Sequence, residues 1–183
     1  MPRLYLIRHG EPAATWGAHP DPGLSALGHA QAEAVAARLA QTGARNLISS
    51  PLARCQETAG PSAGRLAQAP LIERRVAEIH VAAGVEDMRS WLTQVMSGTW
   101  RDAIIDPVLR DWRHQIGQAL LALQEDTLVF SHFVAINAAV GLATQSDRVT
   151  VFKPGHASVT ILSHDGQGLR LETLGDEAAI VLT

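Results

Sequence analysis

Short apolar runs of strand length alternate with stretches of helical period over the first two thirds of this chain, and that alternation leaves few folds open. Arg3-Leu4-Tyr5-Leu6-Ile7-Arg8 reads as a short buried strand. Residues 10–23 hold three prolines, three glycines and Asp21, the composition of a loop. Ser25 is an N-cap residue for a helix that places Leu27, Ala30, Ala34, Val35, Ala37, Arg38 and Leu39 at helical spacing, with Gly43 closing it. Asn46-Leu47-Ile48-Ser49 is a second strand. Pro51 suits the first turn of a helix that continues from Leu52 to Ala59. Leu71 and Ile72 form a short strand, and residues 74–84 have no clear period.

Glu86 to Met96 is helical. Asp106 and Pro107 supply an N-cap and N1 pair for a long helix to Leu123, with Val108, Leu109, Trp112, Ile116, Leu120 and Leu123 on one face. Thr127-Leu128-Val129-Phe130 is a continuous apolar run, as in a central parallel strand. A helix follows from Phe133 to Leu142. Ser158 to Leu162 and Leu169 to Leu174 are final strands joined through Asp165-Gly166. These elements predict an α/β fold, a three-layer α/β/α sandwich with a mostly parallel central sheet. The 183 residues suffice for a single catalytic domain over 1–183, with residues 76–105 as a substrate-shaping insertion.

In an open sheet of this kind ligands bind beyond the carboxyl ends of the strands. The first strand ends in Arg8-His9-Gly10-Glu11. The second runs into Ser49-Ser50-Pro51-Leu52-Ala53-Arg54, and the run from Thr127 ends in Ser131-His132. Two arginines and two histidines from three distant stretches therefore meet on one rim.

Composition narrows what that rim can serve. The net charge of -3 argues against a nucleic-acid partner. No apolar run approaches the ~20 residues of a membrane span, and the first residues do not read as a signal peptide. Cys55 is the single cysteine, which excludes an internal disulfide framework and a cysteine-based zinc site and predicts a cytoplasmic setting. A cysteine phosphatase needs Cys-x5-Arg, and Pro61 stands where that arginine belongs. The chain has no dinucleotide fingerprint, no Walker-type Gly-Lys-Ser/Thr and no His-Glu-x-x-His. Lys153 is the only lysine against fourteen arginines; arginine is the side chain suited to bidentate phosphate recognition.

Two guanidinium forks and two imidazoles make a compact cationic pocket whose natural ligand is a tetrahedral dianion such as phosphate. The helix start after His132 adds free amide groups that favour an anion. His9 is the candidate nucleophile, because a neutral imidazole nitrogen can take a phosphoryl group. Arg8, Arg54 and His132 offset the charge spread over the phosphoryl oxygens. A leaving alkoxide needs a proton, for which Glu78 is the first candidate and Glu11 the second.

Arg8-His9-Gly10-Glu11 resembles the signature of the histidine phosphatase superfamily, which includes cofactor-dependent phosphoglycerate mutases. Leu24-Ser25-Ala26-Leu27-Gly28 with Gln31-Ala32 is similar to the family's first helix. Ser49 to Arg54, followed by Glu57-Thr58-Ala59, is similar to its second-arginine segment. Arg75-Val76-Ala77-Glu78 resembles the segment that holds the acid, and Val129-Phe130-Ser131-His132 the second-histidine segment. The resemblance covers most of the chain. It implies a phosphohistidine on His9, a phosphate pocket of Arg8, Arg54 and His132, Glu78 as proton donor, and no metal or organic cofactor.

The departures bear on which reaction to expect. Phe133 stands where the family often has glycine, and a bulky ring there either narrows the pocket or packs into the core. Mutase-type members carry a serine and an asparagine soon after the first motif, and here Pro12 and Thr15 fall at those positions. The mutases are also longer. The expected activity is a phosphohydrolase acting on a small phosphorylated metabolite, with Glu11, Thr15 and Phe133 lining the substrate. The alternatives are a mutase-like isomerase and a phosphate-binding module without chemistry. The oligomeric state is left open.

Residue type alone supports plainer roles. Arg54 by itself reads as a helix-surface arginine and His132 as a satisfied strand-end histidine; the shared rim favours the pocket. Glu78 by itself is a solvated loop carboxylate, and its role rests mainly on the resemblance. His19, His29, His114 and His164 read as surface residues, while His80 and His156 are placed at the mouth of the site only as an option. Trp16, Trp91, Trp100 and Trp112 read as core or cap residues, with Trp16 and Trp100 as alternative walls of the cleft. Cys55 reads as a buried small hydrophobe.

Overall fold

The structure is a computed structural model that describes residues 1–14, 19–81, 84–102 and 104–178. Its elements are β1 (Arg3–Arg8), α1 (Ala26–Leu39), β2 (Asn46–Ser49), α2 (Ala53–Leu66), β3 (Leu71–Ile72), a 3-10 turn (Arg74–Val76), α3 (Met88–Ser97), α4 (Pro107–Leu121), β4 (Thr127–Ser131), α5 (Phe133–Thr144), β5 (Val159–His164) and β6 (Leu169–Thr173). They form an α/β fold around one mixed six-stranded sheet of order β3-β2-β4-β1-β5-β6. β3, β2, β4 and β1 run parallel to one another, and the β1–β5 and β5–β6 pairings are antiparallel.

Strand alternation decides which residues face which layer. Tyr5, Ile7, Leu47, Leu128 and Phe130 point toward Val35 and Leu39 of α1 and Cys55 and Ala59 of α2. Leu4, Leu6, Ile48 and Val129 point the other way, onto Trp91 and Val95 of α3, Leu109, Trp112, Ile116 and Leu120 of α4, and Ile136 and Val140 of α5. The two helical layers that cover the sheet are the expected sandwich.

Several expectations shift in detail. α1 is capped by Ser25, whose Oγ accepts the Gly28 N–H at 3.0 Å, but the helix ends at Ala40, and Gly43 takes its left-handed φ of 77° three residues later. Its buried face is Gly28, Ala32, Val35, Ala36 and Leu39, whereas Leu27, Ala30, Ala34 and Ala37 are exposed. Alanine on every side gives this helix little contrast between faces, so spacing alone misassigns the stripe.

α2 starts at Ala53, after Pro51, and continues through Pro61 to Leu66. Its buried Cys55, Thr58, Ala59 and Ser62 hold it in place past the proline, which removes one backbone donor. In α4 the Asp106 cap is as expected, its Oδ1 accepting the Leu109 N–H at 2.8 Å, but Val108 is exposed.

The sheet register sets the site. Arg8 is paired with Ser131 across β1 and β4, so His9 and His132 leave adjacent strands at the same level. Ser49 pairs with Phe130, which brings Ser50 alongside them. The turn after His9 lies hard against α1. A Cβ on Gly10 would stand 2.7 Å from the Gly28 carbonyl oxygen, and one on Gly28 would meet the Glu11 carbonyl. Only glycine permits that approach.

Candidate active site

The rim gathers Arg8, His9, Arg54, Glu78 and His132. His9 is 6% exposed and His132 fully buried, with ring centroids 5.2 Å apart and planes at 61°. The Nδ1 of His9 lies 2.7 Å from the Gly10 carbonyl oxygen. A carbonyl only accepts, so Nδ1 carries the proton and Nε2 keeps its lone pair. Arg54 donates to Nδ1 of His132 at 3.2 Å, and a guanidinium only donates, so the proton of His132 sits on Nε2 and goes to Ser50 Oγ at 2.7 Å. The two imidazoles are thus neutral and fixed in opposite tautomers.

The electrostatics agree with that protonation. Burial, and then the Arg54 and Arg8 charges, hold His9 down at about 3 although its bond to Gly10 works the other way. The same burial, with His9, Arg54 and Arg8 as neighbours, holds His132 well below the ordinary histidine value. Arg8 donates from NH1 to the Pro154 carbonyl at 2.8 Å, its guanidinium carbon is 5.2 Å from the Phe133 ring centroid, and its buried Nε has no partner. Phe133 is half-buried, packed between the core around α5 and the Arg8 guanidinium, a cation–π pairing.

Glu78 follows the 3-10 turn and reaches across to α5. Its Oε1 accepts the Ile79 N–H at 3.0 Å and the Val134 N–H at 3.2 Å, and its Oε2 lies 3.3 Å from the same Val134 nitrogen. His132, the N-cap of α5, makes no side-chain cap bond, so Glu78 does the capping. Burial raises its proton affinity above the usual carboxylate range, against the pull of these two amides and of Arg54 and Arg8. Glu11, the second candidate acid, is half-buried, and its Oε1 accepts the Ser25 hydroxyl at 2.8 Å. Thr15 and Trp16 lie outside the described residues.

Three supporting residues carried no role of their own in the sequence reading. Asp21 accepts the Ala53 N–H at 2.9 Å, capping α2, while its Oδ1 stands 3.9 Å from Arg54 NH1. Thr58, fully buried, accepts the Gly10 N–H at 2.9 Å and donates to the Arg54 carbonyl at 2.6 Å, which locks the two arginine segments together. Ser50 receives His132. The Ser-Ser pair at a strand end was the available signal for Ser50; Asp21 and Thr58 act on segments more than thirty residues away and left none. Cys55 is fully buried as expected, but it also donates to the Ser131 carbonyl at 3.2 Å and lies 3.3 Å from His132 Nε2.

Other assignments separate. His156 is beside His9, with ring centroids 5.8 Å apart, whereas His80 is exposed. His164 is buried rather than exposed, its Nε2 2.7 Å from the Leu123 carbonyl, because β5 carries it into the sheet interior. Trp100 is a core residue stacked 6.1 Å from Trp112, not a wall of the cleft. Among the described residues no group of three or more His, Cys, Asp or Glu side chains is placed to hold a metal ion.

Comparison with known proteins bears on this arrangement. The profile of the histidine phosphatase superfamily (branch 1) matches residues 4–177. A protein named "Probable phosphoglycerate mutase GpmB" from Escherichia fergusonii is 30% identical over 139 residues, 68% of this chain and 59% of that protein. The chain spans 59% or less of the length of the first two curated relatives that it matches. Among solved structures, the native mycobacterial glucosyl-3-phosphoglycerate phosphatase superposes with a TM-score of 0.75 at 21% identity, over 97% of this chain and 100% of that one. A phosphoserine phosphatase from Entamoeba histolytica, in complex with 3-phosphoglyceric acid, superposes with a TM-score of 0.73 at 21% identity, over 96% of this chain and 98% of that one. At these identities the superpositions establish a shared fold.

Proposed function

We propose a phosphatase function from one premise: the chain belongs to the histidine phosphatase superfamily (branch 1). The reaction is hydrolysis of a small phosphate monoester through a phosphohistidine on His9. One observation carries it. His9 has its Nδ1 proton committed to Gly10, so its Nε2 lone pair is free, beside two arginines and a second neutral imidazole. A buried imidazole held down at about 3 is a nucleophile at neutral pH without any base to activate it.

In the first step Nε2 attacks phosphorus, the P–N bond forms and the P–O ester bond breaks. Glu78, protonated more readily than an ordinary carboxylate, gives its proton to the leaving oxygen. Arg8 and Arg54 bind the equatorial oxygens, and His132, whose proton is on Nε2, donates beside them by turning that N–H from Ser50 Oγ to a phosphoryl oxygen. Nδ1 keeps its proton on Gly10, so the phosphorylated ring is cationic and offsets the phosphoryl charge. In the second step Glu78 takes a proton from water, the water oxygen attacks phosphorus and the P–N bond breaks, which restores neutral His9.

The hydrolase reading is favoured over the isomerase by Pro12, which has no polar side chain to hold a second anionic group where mutase-type members carry a serine. Residues 76–105 supply Glu78 and pack Trp91, Val95, Trp100 and Ile105 onto the α4–α5 layer, which supports their reading as the segment that shapes the entrance of a single catalytic unit. We place the activity in the cytoplasm, the setting that a single free cysteine favours; no helix among the described residues is long and apolar enough to cross a membrane.

The test is release of inorganic phosphate from a panel of phosphorylated metabolites and p-nitrophenyl phosphate, by the wild type and by His9→Ala. Turnover by the wild type and its loss in the variant are expected. A variant that retains activity within about tenfold, roughly 1.4 kcal/mol of barrier, contradicts the assignment.

A further inference from the structure

We infer that His156 is a specificity-determining residue that hydrogen-bonds the leaving group, and that the site therefore selects phosphate esters of uncharged, hydroxyl-bearing alcohols over esters that carry a carboxylate or a second phosphate. The inference rests on the phosphatase reading of the same site.

The backbone that carries His156 is fastened to the nucleophile's own segment. Arg8 donates from NH1 to the Pro154 carbonyl and from its backbone N–H to the Ser158 carbonyl at 3.2 Å. Ala157 donates its N–H to the Arg8 carbonyl at 3.0 Å and lies 3.3 Å from the His9 carbonyl. To do so Ala157 takes a φ of 54°, a left-handed conformation that an alanine adopts only when its surroundings impose it. The loop is also tied from outside, by the Gly155 N–H to the Asp176 carbonyl at 2.8 Å. This geometry sets the His156 ring 5.8 Å from His9, tilted by 38°.

His156 differs from the other imidazoles near it. His132 is fully buried and hydrogen-bonded through both ring nitrogens, and His9 is bonded through one. His156 is half-buried, and among the described residues neither of its nitrogens has a hydrogen-bond partner. It is less buried than His9 and His132, and on the phosphatase reading we place the alcohol portion of a bound ester on this more open side of the nucleophile. A ring with one donor and one acceptor nitrogen matches a hydroxyl, which also has both.

The surrounding charges select the class. Burial and the Arg8 charge keep His156 neutral at working pH, with its proton affinity held at about 4, and the Glu11 carboxylate is close enough to act against them. With Arg8 and Arg54 engaged by the phosphoryl group, the groups that the described residues place on this side are the neutral His156 ring and the Glu11 carboxylate. That set accepts hydroxyl protons and repels a second anion.

The experiment compares p-nitrophenyl phosphate, whose leaving group has no further hydroxyl, with the sugar or polyol phosphate that the wild type turns over fastest, using wild type, His156→Ala and His156→Asn. His156→Ala is expected to lose about tenfold in kcat/KM on the hydroxyl-bearing ester, the scale of one hydrogen bond to a substrate hydroxyl. Its loss on p-nitrophenyl phosphate should be smaller by at least about fivefold, and His156→Asn should recover most of the loss on the hydroxyl-bearing ester. Equal effects on the two esters, or none on either, overturn the inference. So does a wild type that cleaves p-nitrophenyl phosphate or carboxylate-bearing phosphates but no sugar or polyol phosphate. A wild type that releases phosphate from no ester at all contradicts the phosphatase reading itself, a result distinct from the others.

Discussion

The His9 ring meets the His132 ring edge to face at 5.2 Å, and each is locked in the tautomer that the other is not. The relation follows from one register pair, Arg8 with Ser131, that ends two neighbouring parallel strands at the same height. It places one imidazole with a bare Nε2 against another with a protonated Nε2. A nucleophile and a positioned hydrogen-bonding partner thus come from the same sheet geometry, without a flexible loop to arrange them.

Arg8→Lys and Arg54→Lys are both expected to reduce kcat/KM by about 10²–10³-fold, the scale of losing a preorganised donor to the reacting oxyanion. A lysine keeps the charge but not the planar fork. Arg54→Lys also withdraws the donor that sets the tautomer of His132. Steady-state kinetics on p-nitrophenyl phosphate check both, and near wild-type values in either variant remove that arginine from the phosphate pocket.

Glu78→Gln is expected to slow a sugar or polyol phosphate far more than p-nitrophenyl phosphate, because a nitrophenolate departs without a proton. Glutamine retains a carbonyl oxygen for the Val134 and Ile79 amides, so the cap of α5 survives. Equal losses on both esters assign Glu78 to capping alone. Glu11→Gln in parallel is expected to leave this leaving-group dependence unchanged.

Acid should destabilise the fold above the range where carboxylates titrate. His9 at about 3, His156 at about 4 and His132 well below 6.5 all have lower proton affinities in the fold than in the unfolded chain. Between roughly pH 3 and 6.5 the unfolded chain binds the extra protons, so this stability is complete above about pH 6.5 and is lost as pH falls through that window. Glu78 runs the other way, contributing below about pH 4.5 and losing that contribution as pH rises through its raised value. Three histidines outweigh one carboxyl. Urea midpoints should fall steadily from pH 7 to pH 4, and His132→Gln should flatten that slope; a flat wild-type profile contradicts the burial of neutral imidazoles.

Asn137→Ala is expected to cost about 2–4 kcal/mol of stability, because it strands two backbone donors. Asn137 is fully buried on α5, and its Oδ1 accepts the N–H of Val151 at 2.7 Å and of Phe152 at 3.0 Å, which anchors the strand of chain leading to His156. Urea unfolding of the variant at neutral pH measures the effect, and a loss under about 1 kcal/mol would mean that water replaces the side chain.

Most of the fold was legible because its strands are short apolar runs with sharp ends, and those ends carry the arginines and histidines. Leu128 to Phe130, buried on both faces, has no polar residue to confuse its period. Where alanine dominates, as in α1, the sequence holds too little contrast to choose a face, and the choice depends on Gly28 having to pass beneath Glu11. Pro61 hid the second half of α2, since tertiary packing overrode a local helix breaker. Asp21 and Thr58 were illegible for a different reason: they act through backbone amides of segments more than thirty residues away. His164 was misread because one polar residue at the end of β5 looks like a surface residue until the Leu123 carbonyl is seen to meet it.

The central claim is a covalent bond between phosphorus and His9, and rapid acid-free quenching of a turnover with phosphorus-labelled substrate tests it most directly. The account predicts label on the protein that survives alkali, is lost in acid, maps by peptide sequencing to His9 and is absent from His9→Ala. Label that resists acid, maps to a serine or threonine, or persists in His9→Ala contradicts it.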